Sequence, residues 1–288
     1  MGVIIKDIRS KLAKIAEDFA ILLREVPISR LDCEGGGVVI IAPEFWFGDL
    51  SPEQKNRQIA LVKQYDHTFE LIQMLFSGSP PDVHKDIKDA DSQLRKWLQL
   101  EPNWSIKLDR NQNEREFRKA LDEFKRLVDV LAATPTTETI IVPDTNVLLD
   151  HIVPTDYTRL VEKDTFTILL LPTILAELDG LKVTHRNEEV RNKAKLAINL
   201  IKGWRNQGSL IDGVKTHKTI TVRTVATEPK SIYFASWLDK ENADDRIIAS
   251  IFQIYAENPT ADVLLITGDI NLQNKAEFAS VNFRDFDQ

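Results

Sequence analysis

The run Thr139-Ile140-Ile141-Val142 leads through Pro143 into Asp144-Thr145-Asn146 and then into Val147-Leu148-Leu149-Asp150. A short apolar run that stops at a carboxylate, a hydroxyl and an amide reads as a strand covered on both faces, with polar groups at its carboxyl end. Strands of that kind belong to parallel sheets, whose ligands gather beyond the strands' carboxyl ends. Asp144 is therefore the first candidate for chemistry, and the rest of the chain has to supply its partners.

Downstream, strand-like and helix-like stretches alternate, the signature of a parallel sheet with helices on its faces. Thr139–Val142 and Thr165–Leu171 are the first two predicted strands. Pro172 opens a helix containing Glu177, and Asn187–Trp204 is a long helix with Val190, Ala194, Ala197, Ile198 and Ile201 inward. Arg191, Lys195 and Lys202 then form an outward basic stripe. Thr219–Arg223 is a third strand. A helix from Asp245 with Ile248, Ile251, Phe252 and Tyr255 inward precedes a fourth strand, Asp262–Thr267, and Val281–Phe283 suits a fifth at the sheet edge.

Upstream the period is helical throughout. Ile5, Ile8, Leu12, Ile15, Phe19 and Leu22 recur at steps of three and four, which predicts an amphipathic helix over Val3–Arg24. Gly35-Gly36-Gly37 is not a phosphate loop, because the glycines lead into Val38–Ile41 without the required lysine. This stretch, with Phe45, Trp46 and Phe47, suits a short strand or hairpin with a hydrophobic plug. Ser51-Pro52-Glu53-Gln54 is a capping-box start for a helix to about Phe76. A third helix buries Ile87, Leu94, Trp97 and Leu98, and a fourth buries Phe117, Leu121, Phe124, Leu127, Val128 and Leu131. Residues 1–134 form a mainly helical domain, Ala132–Thr137 is the linker, and 135–288 form the α/β domain.

Charge distribution bears on the partner. The chain carries a net charge of -7, which on average opposes a polyanion. Yet Lys182–Lys230 holds eleven Lys or Arg against four acids. A local basic face is what a phosphate-backbone binder needs. Cys33 is the only cysteine, which excludes an internal disulfide and a thiolate zinc cluster and fits a reducing cytosol. No apolar run reaches a membrane span, so the expected location is cytoplasmic, with no membrane partner.

Four carboxylates, Asp144, Glu177, Asp245 and Asp269, each follow a predicted strand or fall in the first turns of a helix, which brings them to one rim of the sheet. Clustered carboxylates raise one another's pKa unless a cation neutralises them. Hard oxygen donors without cysteine or paired histidine select Mg²⁺ or Mn²⁺. Such ions lower the pKa of a bound water and align it with a phosphate, so no protein nucleophile is needed. Two other classes also begin with strand-Asp. Haloacid-dehalogenase-type phosphatases require a second Asp where Asn146 stands, and metal-dependent adhesion modules require a hydroxyl there. Asn146 argues against both.

Val142–Leu149, Leu171–Lys182, Asp244-Asp245-Arg246-Ile247-Ile248-Ala249 and Leu265–Leu272 together resemble the PIN-domain nucleases over residues 139–288. The Glu-Leu-Asp-Gly-Leu segment is similar to RNA-surveillance endonucleases, and Asp-x-Ile-Ile-Ala is shared with toxin members. The resemblance implies a Rossmann-like α/β/α sandwich that cleaves single-stranded RNA with divalent metal. It assigns metal-ligand and catalytic roles to Asp144, Glu177, Asp245 and Asp269, with Asn146 and Thr267 orienting ligands or a water. For the third acid, Asp245 keeps Ile247 and Ile248 in register with the family's apolar pair. Asp244 is the alternative, free otherwise to cap the helix or hold a water. Arg186, Arg191, Lys193 and Lys195 are the expected backbone contacts. Residues 1–134 match no module and stand as a surface for a protein partner or inhibitor; a homodimer stays open. The rival reading is a PIN scaffold that binds RNA or a partner without cleaving.

Overall fold

The computed structural model describes residues 3–30, 43–133, 138–161 and 165–287. Cys33, Gly35–Gly37, the expected strand Val38–Ile41 and the linker residues 134–137 lie outside the described residues. The chain divides into two compact units, Ile5–Ala133 and Thr134–Gln288 with Met1–Ile4.

The first unit contains α1 (Val3–Glu25), β1 (Ile28–Arg30), β2 (Phe45–Phe47), α2 (Pro52–Leu75), α3 (Pro81–Leu98) and α4 (Arg110–Ala133). The seam of α1 is buried as its spacing requires, with Ile8, Leu12, Ile15 and Phe19 fully shielded. Ser51 and Gln54 close the capping box of α2, at 3.2 Å from the Gln54 amide to Ser51 Oγ and 2.9 Å from the Ser51 amide to Gln54 Oε1. A cap of this kind contributes about 1 kcal/mol. The aromatic group Phe45–Phe47 pairs antiparallel with Ile28–Arg30. A short strand is expected at Phe45–Phe47, whereas its partner Ile28–Arg30 carries too little alternation to be read in advance. Helix α4 runs through Ala132 and Ala133, so the first two residues of the expected linker are helical. Small Ala residues favour helix as readily as linker, and only Pro135 is a true breaker.

The second unit is a six-stranded sheet of β3 (Thr139–Pro143), β4 (Phe166–Leu170), β5 (Val214–His217), β6 (Ile220–Thr224), β7 (Asp262–Ile266) and β8 (Asn282–Arg284). Its spatial order is β5-β6-β4-β3-β7-β8, all parallel except that β5 runs antiparallel to β6. Every residue of β3 and β4 is buried, as a strand covered on both faces must be. The helices are α5 (Thr145–Asp150), α6 (Pro172–Thr184), α7 (Glu188–Arg205), α8 (Ala243–Glu257) and α9 (Ile270–Phe278).

The β5-β6 hairpin is the departure from an all-parallel expectation. Only one residue of β5 is buried, so its polar sequence carries no strand signal. Gly213 makes the hairpin feasible: its φ is +105°, and a Cβ there would lie 2.7 Å from Thr221 Cγ2. From β3 the chain moves to β4 on one side and returns to β7 on the other. The carboxyl ends of β3 and β7 therefore flank the switch point at which open α/β sheets bind ligands. Among the described residues, no helix is long and apolar enough to cross a membrane.

Candidate functional site

Pro143 pairs with Ile266 at the ends of β3 and β7, which sets the following residues of the two strands side by side. The Asp144 amide donates to Ile266 O at 2.9 Å, extending the ladder by one step. Asp144 is only 4 % exposed and caps α5, its Oδ1 accepting the Val147 amide at 2.7 Å. Its Oδ2 accepts the hydroxyl of Thr267, a residue with no exposed surface. Thr267 is itself locked: its amide donates to Arg284 O at 3.0 Å, and Gln273 Nε2 donates to its carbonyl at 2.8 Å. The Thr267 hydroxyl also accepts the Asp269 amide at 3.0 Å. One buried threonine thus links two of the four predicted acids.

Asp269 caps α9 through one oxygen, which accepts the Asn271 and Leu272 amides at 2.7 and 3.2 Å, and it is otherwise exposed. Glu177 is half-buried on α6 and accepts a hydrogen bond from the Thr145 hydroxyl, a contact with no signature in the sequence. Burial pushes the Asp144 carboxyl above its usual range. Hydrogen bonds from Thr267 and Val147 oppose that shift, while the like charges of Asp269 and Glu177 add to it. Asp144, Glu177 and Asp269 therefore share one electrostatic neighbourhood in which every hydrogen-bonding partner of Asp144 is neutral.

Asp245 stands in a different setting. It is 6 % exposed, and its Oδ1 meets Lys275 Nζ at 2.7 Å while its Oδ2 accepts the Asp239 amide at 2.9 Å. Lys275 Nζ also lies 3.0 Å from Asn242 Oδ1 and 3.5 Å from Asp244 Oδ2. Burial works against the charge on Lys275, but the hydrogen bond and charge of Asp245, with Asp244 behind it, outweigh burial and raise its pKa. Of the adjacent pair, Asp245 is the buried one. Asp244 does not cap α8 as its position suggested, because Asn242 holds that role, accepting the Asp245 amide at 3.2 Å. Helix α8 begins one residue before Asp244, so the cap falls on the nearest earlier residue that carries a side-chain acceptor.

The donor chemistry, oxygen throughout, suits Mg²⁺ or Mn²⁺. Among the described residues, however, no three His, Cys, Asp or Glu side chains are grouped so that they could hold an ion directly. That does not exclude Mg²⁺, which keeps several waters and often takes only one or two carboxylates. Asn146 is exposed on α5.

The predicted backbone contacts divide in two. Arg191 is half-buried and donates to the carbonyls of His185 and Arg186 at 2.6 and 3.0 Å, so it closes the turn before α7 instead of standing free. Lys193 pairs with Asp150 at 2.9 Å and with Glu189 at 3.0 Å. Arg186 and Lys195 are exposed, with no ion partner among the described residues. Helical periodicity gives the outward direction of these side chains but not the acceptors that loops bring to them.

A family model described as PIN domain matches residues 141–287 of the chain. In a comparison with curated proteins, none matches.

Proposed function

The chain belongs to the PIN-domain family through residues 141–287, and on that premise we propose that its C-terminal unit is a divalent-metal-dependent endoribonuclease acting on single-stranded RNA. PIN domains are typically nucleases. The observation that carries the finer reading is Asp144: a carboxylate 4 % exposed, held only by neutral donors and crowded by the charges of Asp269 and Glu177. Such a group lacks a counter-charge, and a divalent cation is the partner its chemistry selects.

Asp144 would hold the ion, with Glu177 and Asp269 as the flanking acids whose charge attracts it. When bound, Mg²⁺ or Mn²⁺ supplies the missing positive charge and acidifies water for attack on a phosphodiester. Thr267 and the Val147 amide keep the Asp144 carboxylate in one rotamer, and Thr145 does the same for Glu177. Fixing both groups before substrate arrives lowers the cost of assembling the reactive geometry. Arg186 and Lys195 supply exposed positive charge for the RNA backbone, and cleavage would leave a 5′-phosphate.

A scaffold that binds RNA or a protein partner without cleaving it is the second reading. It draws on one observation, the absence among the described residues of a ready group of three metal-binding side chains. Manganese-dependent cleavage of labelled single-stranded RNA separates the two. We expect the wild type to cleave and Asp144→Asn to lose about 10²-fold or more in rate, the loss of several kcal/mol of metal-borne stabilisation. Equal rates in the two proteins would sink the nuclease reading.

A further inference from the structure

Three oxygens converge on one nitrogen at the start of α8. Asp245 Oδ1, Asn242 Oδ1 and Asp244 Oδ2 lie 2.7, 3.0 and 3.5 Å from Lys275 Nζ. Two carboxylates and an amide oxygen around a point are the donor set of a hard-cation site. Here the cation is the protein's own ammonium, delivered from the second turn of the helix that Asp269 caps. The remaining oxygen of Asp245 is taken by the Asp239 amide at 2.9 Å, which leaves that carboxylate fully engaged by protein donors.

We propose that Lys275 occupies the position of a second metal ion and thereby restricts the C-terminal unit to a single divalent ion, held on the side of Asp144, Glu177 and Asp269. The inference rests on the metal-dependent reading above. A divalent ion entering at Asp245 would have to displace an ammonium or lie beside it, and like charges at that separation repel strongly where solvent is sparse. Lys275 is 28 % exposed and Asp245 9 % by side chain, so water screens the pair only in part. Among the described residues Asp144 has no cationic partner, so the first ion meets no such competitor there.

The test is Mn²⁺ titration by calorimetry, with no RNA and no turnover, on the full chain and two variants, each checked for its melting transition. We expect one ion per chain in the wild type. Lys275→Gln, which keeps a hydrogen-bond donor toward Asp245 and Asn242 while removing the charge, should bind two. Lys275→Arg, which keeps the charge, should still bind one. Two ions in the wild type would overturn the inference and leave the metal-dependent reading standing. One ion in a folded Lys275→Gln would also overturn it. If Lys275→Gln failed to fold, the wild-type and Lys275→Arg stoichiometries would still decide, two ions in either refuting the proposal. No Mn²⁺ binding in the wild type would remove the metal-dependent reading itself.

Discussion

Two groups of acids, one in each unit, look alike in composition and differ in what neutralises them. In the helical unit Arg95 bridges Asp91 and Asp66, with Nε 2.9 Å from one and Nη1 2.6 Å from the other, and Tyr65 donates to Asp91 at 2.8 Å. Burial, then the charge and hydrogen bond of Asp91, push the Tyr65 hydroxyl far above its usual range, so it stays protonated and continues to donate. That set is complete in itself. At the carboxyl ends of β3 and β7, Asp144 is more deeply buried, has only neutral donors and faces two further acids. A paired cluster is part of the architecture; the unpaired one at the sheet's switch point is the feature on which the proposed metal site rests.

Cations are paired in both units, in the α/β one Lys193 with Asp150 and Lys275 with Asp245. The helical unit pairs Arg57 with Glu25, Arg118 with Glu114 and Arg126 with Glu123. On the α/β unit Arg186 and Lys195 have no such partner among the described residues.

Three measurements break or sharpen this comparison. The largest effect is expected from Arg95→Met, which leaves Asp91 and Asp66 without their cation. Because the guanidinium is about one-third exposed, the loss should be about 1–2 kcal/mol, less than for a fully buried pair. Chemical denaturation of the wild type and variant measures it, and an unchanged midpoint would mean that this set is no more complete than the other.

Next is Asp144→Asn without metal, which should stabilise the protein. The folded-state pKa of Asp144 is raised, so between its unfolded and folded values the native state holds more protons and stability falls as pH rises. At pH 7 the buried charge therefore costs stability, and the amide removes that cost while keeping the cap oxygen for Val147. A gain of about 1 kcal/mol would raise the melting temperature by roughly 2–4 °C. The gap between the two proteins should close as pH falls toward the ordinary carboxylate value of 3.8. A variant that melts lower at pH 7 would show that Asp144 is already satisfied.

The smallest effect concerns the free cations. Replacing both Arg186 and Lys195 by Glu should flatten the plot of log binding constant against log salt for single-stranded RNA by about 1.4, two phosphate contacts at roughly 0.7 each. An unchanged slope would assign these residues to an ordinary solvated face.

Much of this was legible in the residues. The apolar runs at 139–142 and 262–267 are short and rich in Ile, Val and Leu, as strands buried on both faces are, and at their ends Thr267 links Asp144 and Asp269. The capping box at Ser51 and the seam of α1 follow from side-chain chemistry within one helical turn. The hairpin β5-β6 was not legible, since its polar residues owe their pairing to a neighbouring strand and to Gly213.

What the sequence determined by itself is the alternation of the main strands and helices after residue 138, the faces they bury and the four acids proposed for the site, because periodicity and capping act between near neighbours. What only the tertiary structure decided is which partner each acid meets. Lys275 reaches Asp245 because α9 packs beside α8, Arg191 turns inward because the His185 and Arg186 carbonyls face it, and Asp144 meets the neutral donors Thr267 and Val147 at the end of β3. Those pairings depend on distances of a few ångströms between segments remote in sequence, and Coulomb and desolvation energies are set at that scale.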